Sequence, residues 1–222
     1  MVSSTIKIDG ILSMKGQLFP YKDENVAKNI AHVTYVLIAM NVIIFVWSLT
    51  DFENIINTYG FTPAIPALLT VFTSMFLHGG LDHLFGNMWF LFIFGDNVED
   101  RLGKITFILF YLASGAAATA LHFLTNTGSA VPAIGASGAI SGVLGAYLVM
   151  FPHVRVHVAS YFYAGTVPAY VMIGFWFVLQ FIFGAASLLG GVGSGIAFWA
   201  HIGGFLFGAI AALAIKNLSN VK

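Results

Sequence analysis

The sequence predicts an all-α membrane protein in which six transmembrane helices form one bundle. Three observations predict it. Of 222 residues, 59% are hydrophobic and 8% are charged, whereas soluble domains carry roughly 25% charged residues. Six apolar segments, each near the ~20 residues that cross a bilayer, run at Ile30–Thr50, His83–Phe94, Ile105–Leu124, Gly135–Phe151, Val167–Phe183 and Ile196–Ile215. When these segments alternate across a membrane, all nine Lys and Arg fall on one side.

Taken in order, residues 1–28 hold Lys7, Lys15, Lys22 and Lys28 but no apolar run followed by a cleavage site. They read as an N-terminal cytoplasmic segment, not a removable signal peptide, and the first span serves as the targeting signal. Residues 29–216 form the six-helix domain, and 217–222 a short cytoplasmic tail. The long connection after the first span, with Pro63 and Pro66, is too apolar for a solvated loop and lies partly in the membrane interface. The second segment is short as written, so its helix is expected to begin earlier or to extend toward Val98. Glu99 and Arg101, in the charged turn that follows, are placed to anchor helix ends. Arg101, Lys104, Arg155, Lys216 and Lys222 join the N-terminal lysines on the cytoplasmic side, while Asp51, Glu53 and Asp82 fall opposite. This sorting supports both the count of six and cytoplasmic termini. The glycine-rich run from Gly190 to Phe198 reads as a flexible loop. Zero net charge argues against a nucleic-acid partner, and the absence of Cys excludes disulfides and thiolate chemistry.

The fourth segment stops before Pro152, which cannot continue a helix interior. Its sixteen or so residues span about 24 Å against a hydrocarbon core of about 30 Å. Ser137, in its first turn, therefore sits below the outer face, where free helix N–H groups are tolerated only against protein or a water-filled recess. His201, about one turn into the sixth segment, falls at a similar depth. Gly204 and Gly208 on the sixth segment, and Gly138 and Gly142 on the fourth, form G-x-x-x-G faces that let helix backbones approach closely. That approach brings Ser137 and His201 within hydrogen-bonding range. His83 and Asn87, four apart on the second segment, share a face on the same side.

Each feature alone has a packing explanation: small residues around a serine, or a G-x-x-x-G pair, occur in any multi-span protein. An intramembrane histidine is harder to explain by packing, because ionisable groups there are costly. The coincidence of Ser, two His and Asn from three helices at one depth suits acyl transfer. Ser137 is the candidate nucleophile and His201 its general base. The Ser137 amide, His83 and Asn87 are the candidate oxyanion donors. No acidic residue is available in the spans to orient His201, so a dyad is expected rather than a triad. His32, His122, His153 and His157 have no part in it.

At these residues the sequence resembles the rhomboid family of intramembrane serine proteases, of the prokaryotic six-helix type. The resemblance rests on HGGLDHLFGNM, GASG and AHIGGFLFG, with weaker agreement at LFPYKDEN, NVEDRLG and FWFVLQ. It implies a six-helix rhomboid-like bundle with Ser137 and His201 catalytic and His83, Asn87 and the Ser137 amide as oxyanion site. His78 resembles a supporting histidine at the mouth of the cavity, and Gly135, Gly138 and Gly204 support the site. Phe175 and Trp176, on the fifth span, resemble a lateral gate. Some family members carry an aromatic residue one turn after the nucleophile that packs on the histidine. Ser141 stands there, so another residue must hold the His201 ring.

The expected function is cleavage of single-span transmembrane proteins near the outer membrane face, in the plasma membrane, without metal or cofactor. The expected partners are that substrate and the lipid bilayer. Two other classes compete. An inactive rhomboid-like client-binding protein would typically lack the Ser or the His, and this chain keeps both. A channel or transporter would line its full depth with polar groups, whereas here they crowd one side, Asn41 and Gln180 excepted.

Overall fold

The computed structural model describes residues 19–25, 27–160, 164–189 and 195–219. The N-terminal tail and most of the glycine-rich run lie outside these residues. Among the described residues eight α-helices follow one another: α1 (His32–Ser48), α2 (Phe52–Tyr59), α3 (Leu68–Thr73), α4 (Leu81–Leu102), α5 (Lys104–Thr125), α6 (Ser137–Met150), α7 (Ala169–Leu188) and α8 (Phe198–Ser219). Helices α2 and α3 fold the long apolar connection, and the other six match the six apolar segments to within a few residues, α4 excepted, which runs eight residues past Phe94 to Leu102. Three of these, α5, α7 and α8, are long and apolar enough to cross a membrane, while α1 and α6 are apolar but shorter. Gly103, at φ +78°, joins α4 to α5 with a single residue in the left-handed region that glycine enters without steric cost.

The chain is not wholly helical. Strands β1 (Phe19–Asp23), β2 (Arg155–Ala159) and β3 (Ala164–Pro168) form an antiparallel sheet in the order β1-β2-β3. The alternation in Arg-Val-His-Val-Ala buries Val156 and Val158 on one face, the period-two pattern of a half-buried strand. The fifth apolar segment accordingly starts as β-structure at Val167. A residue before proline is driven out of the α region, so α7 begins only after Pro168.

Helix α6 is central. Every residue from Gly138 to Tyr147 is buried, and a helix apolar all round belongs in a core. Helix α8 packs against it backbone to backbone. A Cβ on Gly204 would lie 1.9 Å from the Gly138 carbonyl oxygen, and one on Gly208 would lie 2.0 Å from that of Gly142. Nothing larger than hydrogen fits at either position. By contrast, α7 buries only Ala169, Ile173 and Gly184, and presents Phe175, Val178, Phe181 and Ile182 outward. Outward apolar surface of this kind suits lipid, not water.

Candidate active site

Ser137 is the first residue of α6, so its N–H belongs to the opening amides that have no intrahelical partner. The turn before it is fixed by its backbone. The Gly135 N–H donates to the Ser74 carbonyl at 2.9 Å, and Phe61 and Ala133 exchange hydrogen bonds at 3.0 and 2.8 Å. Gly135 has φ +127°, and a Cβ there would meet His83 Nε2 at 2.8 Å and lie 3.6 Å from Ser137 Oγ. A side chain would therefore both strain the turn and fill the space between the histidine and the serine. Gly138, one residue on, has no room for a Cβ against Ala118.

The approach of α8 delivers His201 to the serine. Its Nε2 lies 2.8 Å from Ser137 Oγ. On the other side of the ring, Nδ1 lies 2.8 Å from Gln180 Oε1 on α7. An amide oxygen can only accept, so Nδ1 carries the proton and Nε2 presents its lone pair to the serine hydroxyl. Trp176, one turn before Gln180 on the same helix face, lies against the ring, with centroids 6.0 Å apart and planes at 32°. The Ser141 hydroxyl is turned to its own helix, donating at 2.6 Å to the Ser137 carbonyl within α6.

Across from the serine, His83 and Asn87 project from the first turns of α4. The Gly79 N–H donates to His83 Nδ1 at 3.3 Å, which in a neutral ring leaves the proton on Nε2, the nitrogen facing Gly135. Asn87 is buried, and its Nδ2 has no hydrogen-bond partner among the described residues. His78 is fully buried with its ring edge-on to His83 at 5.0 Å, and neither of its nitrogens has a partner among the described residues. Gly135 thus separates His83 Nε2 from Ser137 Oγ, and one turn after His83 the unpartnered Asn87 Nδ2 is a further donor.

Ser137, His201, His83 and His78 thus meet at one end of α4, α6 and α8, with Asn87 one turn further along α4. The two residues read as a gate differ. Phe175 is 64% exposed, whereas Trp176 turns inward onto His201 and Phe205. Sequence reasoning missed Gln180 as the partner of His201. The available signal was its polarity within an otherwise apolar helix, four residues after Trp176. Among the described residues no cluster of His, Asp and Glu could hold a metal ion.

The Rhomboid domain family model matches residues 66–217. The chain is similar to Rhomboid protein 1, mitochondrial, of Saccharomyces cerevisiae, 29% identical over 132 residues that cover 56% of this chain and 38% of that protein. It is similar to Presenilin-associated rhomboid-like protein, mitochondrial, of Homo sapiens, 32% identical over 124 residues, 54% of this chain and 33% of that one. It is similar to Rhomboid-like protein 11, chloroplastic, of Arabidopsis thaliana, 38% identical over 78 residues, 35% and 28% of the two chains. The matches span about a third of the length of these relatives. With a family match over most of its length and the apolar helices of a membrane protein, this chain belongs to the rhomboid family.

Proposed function

We propose that this chain is an intramembrane serine endopeptidase that cleaves single-span transmembrane proteins near the outer membrane face. The observation that carries this reading is the 2.8 Å contact between His201 Nε2 and Ser137 Oγ. As His201 Nε2 takes the hydroxyl proton, Ser137 Oγ attacks the scissile carbonyl and its oxygen becomes an oxyanion. The Ser137 amide, Asn87 Nδ2 and His83 Nε2–H meet that charge. The protonated His201 then gives its proton to the leaving amine, and the same base activates the water that hydrolyses the acyl-enzyme.

Six helices, α1 and α4 to α8, cross the membrane in this reading, with both termini cytoplasmic in the plasma membrane. Helix α7 is the least enclosed of them, which supports lateral entry of a substrate helix past Phe175 and Trp176. His78 buttresses His83, and Gly135, Gly138 and Gly204 keep the serine, the oxyanion site and the base in contact.

Purified protein in detergent, given a fluorescently labelled single-span substrate, tests this. Cleavage by the wild type that vanishes in Ser137→Ala and in His201→Ala is the expected result. Tight binding of transmembrane clients without cleavage by the wild type would replace it with a client-binding role.

A further inference from the structure

We propose that Gln180 is a positioning residue that sets the tautomer of His201 and makes its competence as a base depend on the seating of α7. The proposal rests on the serine-peptidase reading. A neutral imidazole serves as base toward Ser137 only if its proton stays on the far nitrogen, and something must hold it there. In soluble serine proteases a buried carboxylate does this. Here the only group within hydrogen-bonding distance of Nδ1 among the described residues is Gln180 Oε1, at 2.8 Å. One turn after Ser137 on α6 stands Ser141, which has no ring to stack and whose hydroxyl binds its own helix backbone. The ring contact comes from Trp176, also on α7. Both groups that hold the base therefore belong to a helix other than those carrying the serine and the histidine.

That helix is weakly held. Only three of its residues, Ala169, Ile173 and Gly184, are buried, and its polar ties to α8 among the described residues are the Gln180–His201 bond and the Trp199 indole donating to the Gly184 carbonyl at 3.0 Å. When α7 moves outward, Gln180 and Trp176 leave His201 together. If substrate enters past α7, acylation must then wait for that helix to reseat, so an unseated enzyme is an idle one.

Two readouts test the proposal on the full-length protein. In the first, the reaction of Ser137 with a small fluorophosphonate and the cleavage of a transmembrane substrate are followed in wild type, Gln180→Leu and Gln180→Glu. Leucine removes the acceptor, and kcat and the labelling rate should fall by about 10–100-fold, the scale of a misplaced catalytic group, with KM little changed. Glutamate restores an acceptor, and both rates should recover most of that loss. In the second, nitrogen NMR of labelled His201 reads the tautomer directly. The proton should sit on Nδ1 in wild type and in the glutamate variant, and move to Nε2 or exchange in the leucine variant. Unchanged rates and tautomer in Gln180→Leu would overturn the proposal while leaving the peptidase reading intact. So would an equal loss in the leucine and glutamate variants with the Nδ1 tautomer kept. A wild type that neither cleaves nor labels would overturn the peptidase reading and remove the reaction Gln180 serves. Should Gln180→Leu not fold, Gln180→Met takes its place under the same criteria.

Discussion

Helix α4 carries polar side chains at both ends, and the two ends treat them differently. At its start, Asn87 Nδ2 and both nitrogens of the neighbouring His78 are buried without a partner among the described residues. At its end, about 18 Å away along the axis from Asn87 to Glu99, the buried polar groups are paired. Glu99, 3% exposed, accepts hydrogen bonds from the Val33 N–H at 3.0 Å and from the Thr34 N–H and hydroxyl at 2.8 Å each. It thereby caps the first turn of α1 from another helix. Asn97 donates to Asp23 at 2.9 Å and accepts from Asn25 at 2.6 Å. Asp23 on β1 also takes the Tyr147 hydroxyl. Burial pushes its carboxyl above the usual range, and the Tyr147 hydrogen bond works against that. A buried polar group left unpaired costs about 1–3 kcal/mol. One end of α4 thus holds helices and a strand together, while the other keeps donors free at a cost to stability. A free donor is what a charge that develops only during reaction requires.

The contrast predicts that mutations at the two ends separate activity from stability, and the largest effect belongs to the serine. Ser137→Ala should abolish cleavage, a loss of 10³-fold or more on the order of that seen when a triad member is removed. Its thermal midpoint in detergent should stay near wild type, because the hydroxyl is half-buried and serves no cap. A matching fall in midpoint would mean that the serine is structural. Next comes Asn87→Ala, which should lower kcat by about 10²–10³-fold. Stability should hold or rise, because the group removed has an unpaired donor. Full activity in this variant would remove Asn87 from the oxyanion site and undo the contrast.

The sequence makes the Ser137 end more legible than the Glu99 end. Ser137, His83, Asn87 and His201 stand out because polar groups in apolar segments are few and carry their depth with them. The G-x-x-x-G pairs indicate which backbones meet, and the structure brings Gly138 against Gly204 and Gly142 against Gly208. Gln180 reads from sequence only as a polar exception, since its bond to His201 depends on how α7 and α8 turn toward each other, which helical spacing within either does not fix. At the other end, Glu99 reads as a helix anchor, yet its partner helix is 65 residues earlier in the chain. The sheet escapes for a related reason. β1 and β2 are five residues each, and their pairing joins distant parts of the chain, so local pattern carries little of it.

Glu99→Gln sharpens the comparison from the structural side. The amide keeps the shape but turns one acceptor into a donor, so that the N–H of either Val33 or Thr34 faces a donor instead of an acceptor. The expected cost is about 2–3 kcal/mol, a fall of several degrees in thermal midpoint at ~2–4 °C per kcal/mol. Cleavage per folded molecule should be unchanged. A drop in kcat with the midpoint preserved would show that the two ends of α4 are coupled, and the division of labour would fail.

The smallest effect is expected at Ser141, which lies one turn from the nucleophile yet belongs energetically with the paired groups. Its hydroxyl is buried and satisfied by the Ser137 carbonyl, a hydrogen bond back to the preceding turn that contributes little to a helix. Ser141→Ala should therefore change the rate by less than about threefold, ~0.6 kcal/mol, and leave the midpoint close to wild type. Proximity to the reacting oxygen does not by itself make a residue part of the machinery; an unpaired group or a hold on His201 does. A large rate loss in Ser141→Ala, comparable to that expected for Gln180→Leu, would mean that α6 orients the histidine after all and that α7 is a bystander.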